Sequence, residues 1–230
     1  MMGSVNEIDS ESIDSQRPWV LPEFATPEGI VGVGGDLRPG SLLEAYAHGI
    51  FPWFNPGDPI IWWSPDPRAI IDLQNFHVPR RLAATIKQQK FRVTVDTQFR
   101  AVMEGCAADR EEGTWVTVEM IDAYTALHER GQAHSLEVWI GEQLVGGIYG
   151  VAIGGFFAGE SMFHRERDAS KVALSALVEL LRAGPGAERA LLDVQWQTAH
   201  LASLGAREIS RSSYIGRLEC AVHAPGPWSS

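Results

Sequence analysis

Ser135-Leu-Glu-Val-Trp-Ile140, Gly141-Glu142, Gln143-Leu-Val-Gly-Gly-Ile-Tyr-Gly-Val-Ala-Ile153, Gly154-Gly155 and Phe156-Phe-Ala-Gly-Glu-Ser-Met-Phe163 read as three strands joined by two-residue turns. Turns that short, built on glycine, send each strand back antiparallel to the one before. Downstream, Val172, Ala176, Leu177 and Leu180 mark one face of a helix beginning near Ser170. A strand over Ala190–Trp196, a helix over Thr198–Leu204 and a strand around Glu208–Tyr214 follow. Upstream, Phe91, Val93 and Val95 alternate as a strand, and Phe99, Val102, Met103 and Cys106 recur at helical spacing. Thr117 caps a further helix carrying Met120, Tyr124 and Leu127, with Gly131 beyond its end. The expectation is an α/β (α+β) fold on a mixed, mostly antiparallel sheet.

Residues 18–68 differ in character. They are rich in Pro, Gly and Trp, with one helix legible from Ser41 to His48: Ser41 as N-cap, Glu44 closing a capping box, Gly49 as the stop. The prolines and tryptophans between 52 and 67 argue against a regular helix or a central strand there. The expectation is therefore an acidic, disordered tail (1–17), a small loop-rich N-terminal domain (18–68) and a larger domain (69–230).

Bulk properties narrow the function. A net charge of −10 disfavours a non-specific nucleic-acid binder, and residues 1–16 supply Glu7, Asp9, Glu11 and Asp14 with no base. No apolar run reaches the roughly 18–20 residues of a membrane helix, and the N-terminus lacks a basic-then-apolar export pattern. Cys106 and Cys220 are too few for a disulfide framework and fit a reduced compartment. Seven scattered histidines show no metal-ligand spacing. The expected location is cytoplasmic, with no metal and no membrane partner.

The strongest chemical signal is Leu191-Leu-Asp-Val-Gln-Trp196. Strand alternation puts Asp193 and Gln195 on one face and Leu192, Val194 and Trp196 on the other. A carboxylate beside a carboxamide can accept a proton and orient a nucleophile or carbonyl; a merely polar strand face is the blander and commoner reading. Glu160, between Gly159 and Ser161 on an apolar strand, is costly to bury unpaired. It calls for a cationic substrate group or an internal ion pair. Asp168-Ala-Ser-Lys171 opens a helix, where phosphate binding competes with simple capping. Trp53, Trp62, Trp63 and Trp115 lie in or beside loops, placed for stacking on a nucleobase or for core packing. Arg80, Arg81, Lys87, Lys90 and Arg92 make a basic stretch suited to a phosphate backbone or to a solvated helix face.

Taken together, these segments resemble leucyl/phenylalanyl-tRNA–protein transferases. The motifs are Gly34-Gly-Asp-Leu37, Ala45-Tyr-Ala-His-Gly-Ile-Phe-Pro-Trp-Phe54, Trp62-Trp-Ser-Pro-Asp-Pro-Arg68, Gly113-Thr-Trp115 and Ala133-His-Ser-Leu-Glu-Val-Trp139. Leu144-Val-Gly-Gly-Ile-Tyr-Gly150, Gly159-Glu-Ser-Met-Phe163, Ala169-Ser-Lys171 and Ala202-Ser-Leu-Gly-Ala206 continue them in the same order. The resemblance implies a small N-terminal domain plus a domain like the acyl-CoA N-acyltransferases (GNAT-like), in keeping with the strand order above. It implies transfer of Leu or Phe, less often Met, from aminoacyl-tRNA to proteins with N-terminal Arg or Lys, marking them for N-end rule degradation. It also implies a monomer, and no cofactor is expected because the ester is already activated.

The resemblance further implies roles for individual residues. Asp193 and Gln195 are its catalytic pair, with Glu160 beside the acceptor and the reacting centre. Trp53 and Trp115 hold the terminal adenosine, Ile148 and Phe157 line the apolar pocket, and Arg80 and Lys87 contact the tRNA body. This sequence departs from the family pattern at Val194, His164, Ala84 and Gln88, and in the insertion Gly184-Pro-Gly-Ala-Glu188. The alternative activity is acetyl-CoA-dependent N-acyl transfer, against which Phe163-His-Arg-Glu-Arg-Asp-Ala-Ser170 offers no glycine for a pyrophosphate loop.

Overall fold

The N-terminal stretch folds onto a small sheet of its own, formed by β1 (Ile30–Val33), β2 (Phe51–Pro52) and β3 (Ile61–Trp63) in the order β1-β3-β2. The structure is a computed structural model that describes residues 17–108 and 116–229, and the expected tail up to residue 16 lies outside the described residues. Strand β3 is central in this sheet, which corrects the expectation that the proline- and tryptophan-rich stretch holds no central strand. Its prolines avoid the ladder: Pro59 and Pro65 flank β3, and Pro52 sits on the edge strand β2, where a missing N–H is tolerated. The first helix, α1 (Pro39–Ala47), starts before the Ser41 signal. Pro39 fits its first turn because that N–H would have no helical partner anyway. The Ser41 hydroxyl instead donates to Asp36 Oδ1 at 2.7 Å.

The main sheet has seven strands. They are β4 (Arg68–Ile71), β5 (Arg92–Val95), β6 (Ala133–Ile140), β7 (Gln143–Ile153), β8 (Phe156–His164), β9 (Leu191–Gln195) and β10 (Ala206–Ile209). Their order is β10-β4-β9-β8-β7-β6-β5, and the β8–β9 pair alone is parallel. The mixed, mostly antiparallel sheet and its β6-β7-β8 meander are as expected. Gly141 (φ 57°) and Gly154 (φ 56°) make the two hairpin turns in the left-handed region that glycine enters without a Cβ clash.

Helices cover both faces: α2 (Arg80–Lys87), α3 (Phe99–Ala108), α4 (Val118–His128), α5 (Ala169–Ala183), α6 (Ala199–Ala202) and α7 (Arg211–Val222). Thr117 caps α4 by accepting the Met120 N–H, and Thr198 caps α6 by accepting from Leu201. The expected last strand ends sooner, at Ile209. Ser210 then accepts the Ser213 N–H and α7 begins, burying Tyr214, Leu218 and Ala221 at helical spacing.

Two apolar clusters result. One joins the small sheet and α1 to α3, α4, α7 and one face of the main sheet; the other lies under α2, α5 and α6. Phe156 and Phe157, neighbours on β8, enter opposite clusters, as a period of two requires.

Candidate active site

Strands β8 and β9 pair only from Phe156↔Leu191 through Ala158↔Asp193. Beyond that point they part, and a cavity of about 650 Å³ opens between them. Glu160 and Gln195, each two residues past the last pair, meet at its wall: Gln195 Nε2 donates to Glu160 Oε1 at 2.9 Å. The backbone at Gln195 is bent sharply. Its φ is +56°, disfavoured for a residue with a Cβ, and the Trp196 N–H reaches back to the Val194 carbonyl at 2.7 Å, the bond that closes a γ-turn. A strained residue at the mouth of a cavity points to function.

Beneath this wall lies a sealed ion pair. Arg68, on β4, donates from Nε to Asp193 Oδ1 (2.9 Å) and from Nη2 to Asp193 Oδ2 (2.6 Å). Asp193 also accepts from the Tyr214 hydroxyl (2.9 Å) and from the Gln195 N–H (2.9 Å). Arg68 and Asp193 are 1% and 0% exposed, so each charge depends wholly on the other. Burial works against the Arg68 charge, but Asp193 beside it more than compensates and the guanidinium is held protonated above its ordinary range. Arg68 Nη1 also donates to the Gly49 carbonyl (3.0 Å), and its plane lies against the Phe51 and Tyr214 rings. It therefore ties the segment before β2 to the main sheet.

The second carboxylate is placed differently. Glu160 is half-buried, and burial pushes its carboxyl up to about 8, with the Asp193 charge adding to the rise while Tyr46, Arg68 and Gln195 hold it back. The Tyr46 and Tyr124 hydroxyls are 2.6 Å apart behind it. Both are raised well above the usual phenol range, first by burial and next by the Glu160 charge, so both keep their protons.

The rim is aromatic. Trp196 packs edge-on against Phe51 (4.9 Å between centroids), Trp53 (5.7 Å) and Trp63 (5.9 Å). Strict strand alternation would turn Trp196 toward the core with Val194. The turn at Gln195 instead swings it onto Phe51, Trp53 and Trp63, and with Trp53 it forms part of the cavity lining.

Residues 70–219 match the family described as leucyl/phenylalanyl-tRNA protein transferase, and residues 35–66 match the N-terminal domain of the same family. The chain belongs to the leucyl/phenylalanyl-tRNA–protein transferase family. A leucyl/phenylalanyl-tRNA–protein transferase from Shewanella denitrificans is 50% identical over 210 residues, covering 91% of this chain and 89% of that one. One from Hydrogenovibrio crunogenus is 51% identical over 223 residues, covering 93% and 86%. A solved GCN5-related N-acetyltransferase-like protein from Streptococcus suis aligns over 73% of this chain and 62% of its own at 13% identity, with a TM-score of 0.36.

The residues carried over from leucyl/phenylalanyl-tRNA–protein transferases divide into groups. Glu160, Gln195, Trp53 and Ile148 all line the cavity. Asp193 touches Gln195 but faces Arg68 and Tyr214, and it is not among the lining residues. Phe157, expected in the pocket wall, is fully buried in the second core, with its ring 5.2 Å from Trp228. It lies on the paired part of β8, before the strands part. Val194, placed by alternation on the face opposite Asp193, packs in the second core and borders the cavity as well. Arg80 and Lys87 are exposed on α2, outside the cavity lining. Trp115 lies outside the described residues. Sequence reading assigned no role to Arg68, Tyr46 or Tyr214. The available signal was Asp193 itself, a carboxylate on an apolar strand that needs a buried cation.

Away from the cavity, Asp96, His128 and His134 bring one ligand atom each within 4.8 Å of one another, a grouping their sequence spacing did not reveal. Their ring nitrogens already have oxygen neighbours: His134 meets Asp96 Oδ2 (2.7 Å) and the Gly131 carbonyl (3.1 Å), and His128 meets the Ala133 carbonyl (2.9 Å). Among the described residues no helix is long and apolar enough to cross a membrane.

Proposed function

We propose that this chain transfers the aminoacyl group of leucyl- or phenylalanyl-tRNA to the α-amine of a protein, with Gln195 and Glu160 as the groups that touch the reacting atoms. One observation carries the assignment of residues: the Gln195–Glu160 hydrogen bond sits where β8 and β9 part, on the wall of an apolar, tryptophan-rimmed cavity. The apolar side chain of the donor enters between Ile148 and Val194, and its adenosine lies against Trp53. Acceptors begin with Arg or Lys, whose cationic side chain suits the acid at Glu160, and the product is a substrate for N-end rule degradation. Residues 18–68 supply the aromatic roof and 69–230 the floor, and a single copy of the chain carries the whole site.

The chemistry needs a neutral amine, a stabilised oxyanion and a proton for the departing ribose oxygen. An α-ammonium loses its proton near about 7.7–8, and Glu160 sits at about 8. Proton transfer between the two is nearly balanced, the condition under which a general base can take the proton and return it. The amine nitrogen attacks the ester carbonyl, the new C–N bond forms, and the C–O bond to ribose breaks. Glu160 carries the amine proton to the ribose oxygen. Gln195 keeps its second N–H and its carbonyl for the substrate, to hold the oxyanion or the amine. Asp193 is a positioning residue: its carboxylate holds the Gln195 backbone in its bend. The test is incubation of the protein with labelled leucyl-tRNA and a peptide starting with Arg, without ATP. Label should move to the peptide, whereas a requirement for acetyl-CoA in place of leucyl-tRNA would overturn the reading.

A further inference from the structure

A second cavity, of about 490 Å³, adjoins the first and is lined by basic side chains: His164, Arg165, Arg167, Lys171 and His200, with Asp168 the acid among them. The two cavities are built on the same elements. Met162 lines the first and His164, two residues on, the second. Leu174 lines the first and Lys171, one helical turn earlier on α5, the second; Leu201 lines the first and its neighbour His200 the second.

Three permanent cations against one acid is an excess of positive charge, and Asp168 is already engaged by Lys171 Nζ at 3.3 Å. Ser170, which also lines this cavity, is only 5% exposed, and none of the described hydrogen bonds uses its hydroxyl. That hydroxyl is available to a ligand that enters the basic cavity. His200 is held below the usual imidazole range, first by burial and then by the charges of Lys171 and His164. The positive groups thus repel one another in the absence of an anion. Lys90, just beyond α2, pairs with Glu166 at 2.8 Å, so the basic stretch that begins at Arg80 runs up to this same loop.

We infer that this cavity is a phosphate subsite, formed by His164, Ser170, Lys171 and His200, that holds a phosphodiester of the donor's 3′-terminal nucleotides while the ester lies in the adjoining cavity. The inference rests on the proposed aminoacyl transfer. A phosphate here receives charge-assisted hydrogen bonds from Lys171 Nζ and the imidazoles and a neutral one from the Ser170 hydroxyl. It anchors the nucleotide chain while the ester is held in the first cavity.

The experiment compares two donors with the full-length protein and a peptide starting with Arg: leucyl-adenosine, which has no phosphate, and a leucylated trinucleotide ending in adenosine. Lys171→Met and, separately, His164→Gln, which leaves the Asp168–Lys171 pair intact, should raise KM for the trinucleotide about tenfold, the usual effect of losing one charge-assisted hydrogen bond. KM for leucyl-adenosine should not move, which also shows that the variants fold. Equal changes for both donors, or none for the trinucleotide, would overturn the subsite. A wild-type protein that uses neither these donors nor leucyl-tRNA would bring down the proposed transfer itself, and the subsite with it.

Discussion

Two carboxylates on adjacent strands, Asp193 and Glu160, have opposite surroundings. Asp193 lies under the sheet with four hydrogen-bond donors and a full counter-charge in Arg68. Glu160 lies at the edge of a cavity with the Gln195 amide beside it and its carboxyl pushed up to about 8. The first arrangement commits the carboxylate to structural partners, Arg68, Tyr214 and the Gln195 backbone, and leaves none of it facing the cavity. The second leaves a carboxyl on the threshold of ionisation near neutral pH, which suits it to proton transfer. Burial alone does not separate the two sites. What separates them is whether a buried cation matches the carboxylate.

The largest effect should come from breaking the floor. Arg68→Ala leaves Asp193 buried and uncompensated, and should lower the free energy of unfolding by about 3–5 kcal/mol, read by denaturant titration. A loss well below that would mean that Asp193 finds water or another partner. Gln195→Ala acts on the other region. It should lower the single-turnover transfer rate by about 10²–10³-fold, as for removal of an oxyanion donor, while leaving the melting temperature close to wild type. Trp53→Ala should weaken donor binding by about 1–3 kcal/mol, the value of one base stacked on an aromatic ring, read as KM for leucyl-tRNA.

The smallest effect is on stability and concerns Glu160. The carboxyl titrates at about 8 in the folded protein against an ordinary 4.5. Between those values the folded state keeps a proton that the unfolded chain has released, so its contribution to stability is present in full below about 4.5 and is lost as pH rises through about 8. Glu160→Gln removes that slope. The variant should gain in melting temperature relative to wild type as pH is raised from 5 to 9, and a constant difference across that range would count against the shift.

Much of this was legible in the chain. The β6-β7-β8 meander follows from apolar strands separated by Gly-containing turns, and the α4 start from Thr117, because both signals are local. The position of β4 between β9 and β10 was hidden, since Arg68–Ile71 pairs with strands more than a hundred residues away. Arg68 was missed for the same reason, as its partner Asp193 is brought to it only by the sheet. The end of the chain was misread because Glu208 to Tyr214 carries no long apolar period, and the helix shows itself only when Tyr214, Leu218 and Ala221 are taken together. Strand alternation separates Asp193 from Val194 correctly and fails at Trp196, which the turn at Gln195 brings onto Phe51 and Trp53. Phe157 was placed in the pocket by the resemblance alone, and β8 is still fully paired there.

The division of labour between the two carboxylates is tested most directly by the single-turnover rate of transfer from leucyl-tRNA to a peptide starting with Arg, measured from pH 6 to 9 for wild type and Glu160→Gln. The wild-type rate should climb through about pH 8, and the variant should run about 10²-fold slower, the range expected for loss of a general base. A Glu160→Gln protein that matches wild type at every pH would contradict the account.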